Sequence, residues 1–141
     1  MRSLLAICFI LNLLMLKAQD GLPYQAILLD ENNTSIASIE VNVEVCILKG
    51  ASALAEQYCE IHDVETDKNG LINLLIGSED KTSGSAATYS EIDWGADEHF
   101  LQVSFKKASE SDMKIIGVTK LQAVPYAKHA IEADRLRSNG G

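Results

Sequence analysis

Glu60 and His62 are the residues of this chain whose types and spacing best suit acid–base chemistry. They alternate within a run of strand character, so their side chains share one face. A carboxylate beside an imidazole can form a general acid–base pair or half of a metal site. No third ligand and no nucleophile motif accompanies them, so a structural ion pair at a sheet margin is the favoured interpretation. We therefore predict no catalytic residue. The remaining histidines, His99 and His129, are expected to be solvated.

Cys46 and Cys59 are expected to form a disulfide across a hairpin. A tight turn centred after Ser52 would place Cys46 opposite Cys59 and Lys49 opposite Glu56. Opposed β-carbons in such a pair lie about 4.5–5.5 Å apart, which is near disulfide range. There is no CxxC motif and no Cys/His cluster in the sequence, so a zinc site has no support.

Trp94 is the single tryptophan, and with Tyr89 and Phe100 it could form a platform that stacks on a sugar. A lone tryptophan just ahead of a strand is more often a core residue. We predict that Trp94 is buried; a ring at the surface would instead favour binding.

Two acidic turns, at residues 30–32 and 67–69, offer oxygen ligands that calcium could use. Neither has the regular oxygen spacing and closing Glu of a dedicated calcium loop. Turn chemistry explains Asp and Asn at these places without an ion. We predict neither a metal nor a cofactor.

Residues 1–18 have the features of a secretion signal. Arg2 gives a positive start, residues 4–16 are apolar except for Asn12 and too short to span a bilayer, and small Ala18 precedes the expected cut. We expect a secreted or cell-surface protein with no permanent membrane span. Without Arg2 and Lys17, ten basic residues face 20 acidic ones, a net charge of −10 that argues against a nucleic-acid partner.

Residues 19–124 are predicted to form one all-β domain, because period-two alternation dominates them. It is clearest in residues 41–48 and 101–106, and further strands are predicted at residues 22–29, 56–66, 71–76 and 113–124. The pattern favours an antiparallel immunoglobulin-like β-sandwich. The predicted core comprises Val41, Val43, Val45, Ile47, Leu101, Val103, Phe105 and Trp94.

Residues 125–141 are predicted to form a short C-terminal helix, started by Pro125, and the beginning of a linker. An isolated helix of this length is marginal in water, so any homo-oligomer formed through it should be weak.

Short motifs occur in a fixed order along the chain after the signal: YQA at 24–26 with Asp30, VNVEVCILKG at 41–50, Tyr58, Glu60 and His62, TDKNG at 66–70, Ile76-Gly77, IDWG at 92–95, FLQV at 100–103 and LQAVPYA at 121–127. This set resembles the N-terminal β-sandwich module of large secreted or cell-surface proteins of Bacteroidota bacteria. In that family the module precedes collagen-like or fibre-like repeats or a tail-spike-type chaperone region. The turn at 66–70 is also similar to one in carboxypeptidase-regulatory-like domains, so a prealbumin-like sandwich is the alternative fold.

The resemblance implies a non-catalytic structural or adhesion module of an exported bacterial surface protein, either the N-terminal head of a longer protein or a fragment of one. The alternative is a free-standing secreted domain that binds a glycan or a partner protein, with Trp94 and Tyr89 as its surface. An exported hydrolase built on Glu60 and His62 has the least support.

Overall fold

The computed structural model describes residues 21–52 and 54–122. Within these residues there are seven strands: β1 (Leu22–Ile27), β2 (Glu40–Lys49), β3 (Ala55–Glu65), β4 (Leu71–Ile76), β5 (Lys81–Ser83), β6 (His99–Lys107) and β7 (Lys114–Leu121). A single 3₁₀ turn, Tyr89–Glu91, lies between β5 and β6. The predicted signal at 1–18 and the predicted helix and linker at 125–141 lie outside the described residues.

The strands form two sheets, and every strand pair is antiparallel. The smaller sheet pairs β1 with β4, and the larger has the order β5-β3-β2-β6-β7. The prediction of an all-β fold is therefore confirmed for the described residues. No helix of the described part of the chain is long and apolar enough to cross a membrane.

One main hydrophobic core lies between the two sheets. Alternate residues of β2 and β6 supply one side of it, since Val43 and Val45 have no exposed surface and Val103 and Phe105 are buried. The smaller sheet supplies the other side through three residues of β4: Ile72, Leu74 and Ile76. Seven of the eight predicted core residues are confirmed by their burial. The prediction that the eighth residue, Trp94, is buried is wrong. Trp94 is 41% exposed, because it lies in the loop before β6 and not on a strand face.

The strand boundaries differ from the predicted ones where turns interrupt the alternation. β1 ends at Ile27, and Leu29 forms only an isolated bridge with Ser35. In the β2–β3 hairpin a β-bulge at Gln57 shifts the register, so Lys49 pairs with Ala55 and the predicted pairing of Lys49 with Glu56 is wrong. The extra residue of a bulge changes the side to which the following side chains point.

Candidate functional site

Tyr58, Glu60 and His62 form a polar group on the core side of β3, which we call the buried cluster. They lie opposite Ile47, Val45 and Val43 of β2, so strand alternation turns all three inward. Glu60 has no exposed surface and His62 is 4% exposed. The Glu60–His62 ion pair therefore lies on the core face of β3, with both partners buried.

Both carboxylate oxygens of Glu60 are engaged. Oε1 accepts the backbone N–H of Gly77 at 2.8 Å and lies 2.6 Å from Nε2 of His62. Oε2 accepts the hydroxyl hydrogen of Tyr58 at 2.7 Å. A buried carboxylate needs such partners, because burial without them costs several kcal/mol, on the order of 3–5.

These contacts also set the acidity of the cluster. Burial raises the pKa of Glu60, but the hydrogen bonds from His62, Tyr58 and Gly77 together lower it more, so the pKa lies below its ordinary value. Burial, followed by the hydrogen bond to Glu60 and its negative charge, raises the pKa of Tyr58. His62 also lies near a second carboxylate, with Nδ1 4.0 Å from Oε1 of half-exposed Glu79. The carboxylate of Glu60 is thus held ionised and offers no accessible atom to a substrate.

Gly77 connects the buried cluster to the surface. Its N–H binds Glu60, and its φ of 97° lies in the left-handed region that glycine adopts most readily. A β-carbon at this position would lie 2.7 Å from the ring of Tyr89. Glycine is therefore required here both by the backbone conformation and by the close approach of Tyr89.

Tyr89, Trp94 and His99 form what we call the aromatic corner. The Tyr89 ring meets the Tyr58 ring edge-on at 5.8 Å and the Trp94 ring edge-on at 5.9 Å. Trp94 is tilted over His99, with ring centroids 5.0 Å apart. The predicted surface residues Trp94 and Tyr89 are thus in contact, while Trp94 keeps 41% of its surface open to solvent.

A hydrogen-bonded loop holds the Trp94 ring in place. The backbone N–H of Trp94 donates to Ile92 O at 3.1 Å, and Ile92 is itself buried in the core. Asp93 accepts the N–H of Gly95 on its side chain at 3.2 Å and the N–H of Ala96 on its backbone oxygen at 3.3 Å. The ring is therefore presented by a loop segment that has its own internal hydrogen bonds and is anchored in the core by Ile92.

The prediction of a solvated His99 is wrong, because the residue is 4% exposed beneath Trp94. Position 99 continues the alternation of Leu101, Val103 and Phe105, and that signal would have placed it on the core side. Its Nε2 is buried without a hydrogen-bond partner among the described residues. His129 lies outside them.

The surroundings of the aromatic corner are acidic. Between Lys81 and Lys106 the sequence contains no Lys or Arg but has four acidic residues: Glu91, Asp93, Asp97 and Glu98. The ammonium group of Lys120 on β7 pairs with Glu98 and neutralises part of this charge. The corner therefore favours neutral or cationic ligands over anionic ones.

Cys46 and Cys59 lie directly opposite each other on the outer face of the larger sheet and are joined by a disulfide. With buried Leu48 and half-buried Phe100 they form a second, small apolar cluster. The bulge at Gln57 brings Glu56 near the sulfurs, the one such group of potential metal ligands found within residues 21–52 and 54–122. Both sulfurs are committed to the disulfide.

The two acidic turns use their carboxylates internally. Oδ1 of Asp30 accepts the N–H of Asn32 at 2.8 Å and of Thr34 at 2.9 Å. Oδ1 of Asp67 accepts the N–H of Asn69 at 2.7 Å and of Leu71 at 2.9 Å. The bonds from Leu71 and Asn69 lower the pKa of Asp67. These contacts are the turn chemistry that Asp favours without an ion.

Two shallow surface depressions occur away from both groups. One of about 430 Å³ is lined by β1 and β4 at Pro23, Tyr24, Gln25, Asn73 and Leu74. The other, of about 440 Å³, lies between the loop after β1 and the β6–β7 turn. Neither contains a residue of the buried cluster or of the aromatic corner.

No protein-family model matches the chain, and comparisons with curated proteins and with solved structures returned no similar protein.

Proposed function

We propose that this chain is a non-catalytic adhesion module of an exported bacterial surface protein, and that its aromatic corner contacts a neutral glycan. The observation that carries this proposal is the Trp94 ring, which is 41% exposed although Tyr89 and His99 hold it from below. A fixed aromatic ring with one open face buries a large area on binding at little entropic cost.

The charge of the corner supports a neutral ligand. Its acidic residues would repel sialylated or sulfated sugars, whereas the hydroxyl groups of a neutral sugar can donate hydrogen bonds to carboxylates. The apolar face of the sugar ring would stack on Trp94.

The proposed location and fold are supported by the sequence. The predicted signal at residues 1–18 supports secretion or display at the cell surface, and the ordered motifs support a Bacteroidota N-terminal module with an immunoglobulin-like sandwich, or a prealbumin-like one. The complete burial of Glu60 supports a structural role for the Glu60–His62 pair over a hydrolase. The alternative is a module that acts only as a scaffold and binds no sugar at this corner.

The test is a panel of purified neutral, sialylated and sulfated oligosaccharides, applied to residues 19–141. Because Trp94 is the single tryptophan, its fluorescence reports binding at the corner directly. We expect saturable binding of a neutral member. Trp94→Ala and Trp94→Phe lack this fluorophore, so their binding is measured by surface plasmon resonance. Trp94→Ala should weaken binding about 30-fold, as for a hot-spot residue worth about 2 kcal/mol, and Trp94→Phe should retain part of it.

Tyr24→Ala is the matched control, since it removes a partly buried aromatic ring on β1, away from the corner. No binding by any member of the panel would favour the scaffold alternative. Preference for the sialylated or sulfated members would contradict the proposed ligand class.

A further inference from the structure

Strand β7 is exposed along nearly its whole length at one edge of the larger sheet; only its last residue is half-buried. Three of its aliphatic side chains, Ile115, Ile116 and Val118, are 63%, 43% and 45% exposed. A β-bulge at Ile116 interrupts this edge, and the regular part after it, residues 117–121, offers backbone N–H and C=O groups to another strand. Large apolar side chains strengthen such pairing.

The opposite edge of the same sheet is only half covered. β5 and the segment that follows it pair with residues 56–60 of β3. No strand among the described residues pairs with the outer side of residues 61–65, which we call the free half of β3. Ile61 and Val64 are half-buried there, and Asp63 and Glu65 are exposed.

We propose that β7 of one copy adds to the free half of β3 of a second copy, so that copies of this chain associate head to tail. Topology favours this arrangement. β3 and β6 are both antiparallel to β2, and β7 is antiparallel to β6, so β7 and β3 run in opposite directions. A second copy in the same orientation therefore presents an antiparallel strand and continues the sheet with the same faces on each side.

The charges of the two edges are complementary. β7 carries Lys114 and Lys120, whereas the free half of β3 carries Asp63 and Glu65. Across the sheet, Lys120 aligns through Phe100 with Leu48 and Asp63 aligns with Asn42. Positions 42 and 48 share one face of β2, so Lys120 and Asp63 also share that face and can lie opposite each other between copies.

A twofold pairing of β7 with itself is less favourable. Centred on Gly117, it would place Lys114 opposite Lys120 twice, and like charges directly opposite each other are destabilising. Within one copy Lys114 pairs with Glu31, Lys120 with Glu98, and Asp63 accepts a hydrogen bond from Asn42. These contacts are exposed and therefore weak competitors for an intermolecular partner.

The test is sedimentation of residues 19–141 over a concentration series. The wild type should form species larger than a dimer as concentration rises. Val118→Glu, an exposed substitution that leaves the core intact, should remain monomeric, because with Lys120 opposite Asp63 position 118 lies opposite Glu65 and like charges would face each other. K114E/K120E and D63K/E65K should each weaken self-association about tenfold or more, the effect of a change near 1.4 kcal/mol.

The decisive step is to mix the two charge variants in equal amounts. Each variant has two like-charged edges, but the mixture again offers opposite ones, so larger species should return. Lys49→Glu, on a strand with neighbours on both sides, makes a similar charge change and should leave association at the wild-type level.

A wild type that is monomeric at all concentrations, or that stops at a dimer, would overturn the proposal. Undiminished association of D63K/E65K would also overturn it, because it would indicate pairing of β7 with itself. Trp94→Ala should not alter sedimentation, so the result is independent of the proposed glycan contact.

Discussion

The buried cluster and the aromatic corner are one ring contact apart, yet their environments are opposite. The rings of Tyr58 and Tyr89 meet with their centroids 5.8 Å apart, so these two tyrosines connect the fully buried carboxylate of Glu60 to the partly exposed ring of Trp94. Glu60 has the more reactive side chain but all of its partners are internal. Trp94 has the less reactive side chain but one face open to a ligand. The comparison shows that accessibility, more than residue type, decides which group can serve a function.

The largest expected effect comes from removing the carboxylate of the buried cluster. Glu60→Ala leaves His62, the Tyr58 hydroxyl and the Gly77 N–H without their shared partner. We expect a loss of about 3–5 kcal/mol in the free energy of unfolding, measured in urea. Glu65→Ala, at an exposed position of the same strand, should change it by no more than about 0.5 kcal/mol. Similar small losses in both variants would show that the buried cluster does not stabilise the fold.

A second change tests the connection between the two regions. Gly77→Ala forces a side chain into a left-handed conformation and against the Tyr89 ring, so we expect a loss of about 1–3 kcal/mol and a shift of Trp94 fluorescence. Gly95→Ala is the control, in the loop that carries Trp94, where an added β-carbon would meet its nearest neighbour at 3.6 Å, an ordinary contact. An unchanged Trp94 spectrum in Gly77→Ala would mean that the regions are not coupled.

The pH dependence of stability should arise from the buried cluster. The pKa of Glu60 is lowered in the folded state, so its ionisation adds stability above the unfolded pKa of about 4.3, and that stability is lost as pH falls through the folded pKa. Wild-type stability should therefore fall as the pH drops below about 5, and less steeply in Glu60→Gln. Asp67, whose pKa is also lowered, contributes to both proteins alike. Parallel curves would contradict the assignment.

The smallest expected effect on stability comes from a substitution in the aromatic corner. Trp94→Ala should cost no more than about 1 kcal/mol, because the ring lies outside the main core. In the wild type, acrylamide should quench the Trp94 fluorescence readily. A loss of several kcal/mol in the free energy of unfolding, or a fluorescence that acrylamide hardly quenches, would indicate that Trp94 is a core residue, as the sequence pattern predicts.

Much of the fold could be predicted because strand alternation records burial directly. Valines at 41, 43 and 45 and the apolar residues at 101, 103 and 105 face the core at the predicted positions. The positions of Glu60 and Tyr58 on one face also follow from alternation. Their depth does not, because it depends on how far the smaller sheet covers β3.

The aromatic corner could not be derived from alternation. Trp94 lies in a loop, where the direction of a side chain depends on local hydrogen bonds such as those to Ile92 and Asp93. The bulge at Gln57 likewise leaves no signal in a period-two pattern, so the predicted pairing of the β2–β3 hairpin is wrong beyond it. His99 was predictable in principle, since it continues the β6 alternation.

The most direct test of the central claim compares Trp94→Ala with Glu60→Gln in the same oligosaccharide-binding measurement, with folding of both checked by circular dichroism. Surface plasmon resonance on an immobilised neutral oligosaccharide selected from the panel measures both without depending on tryptophan fluorescence. We expect folded Trp94→Ala to lose about 30-fold in affinity and folded Glu60→Gln to bind as the wild type does. Retained binding in Trp94→Ala together with lost binding in Glu60→Gln would contradict this expectation.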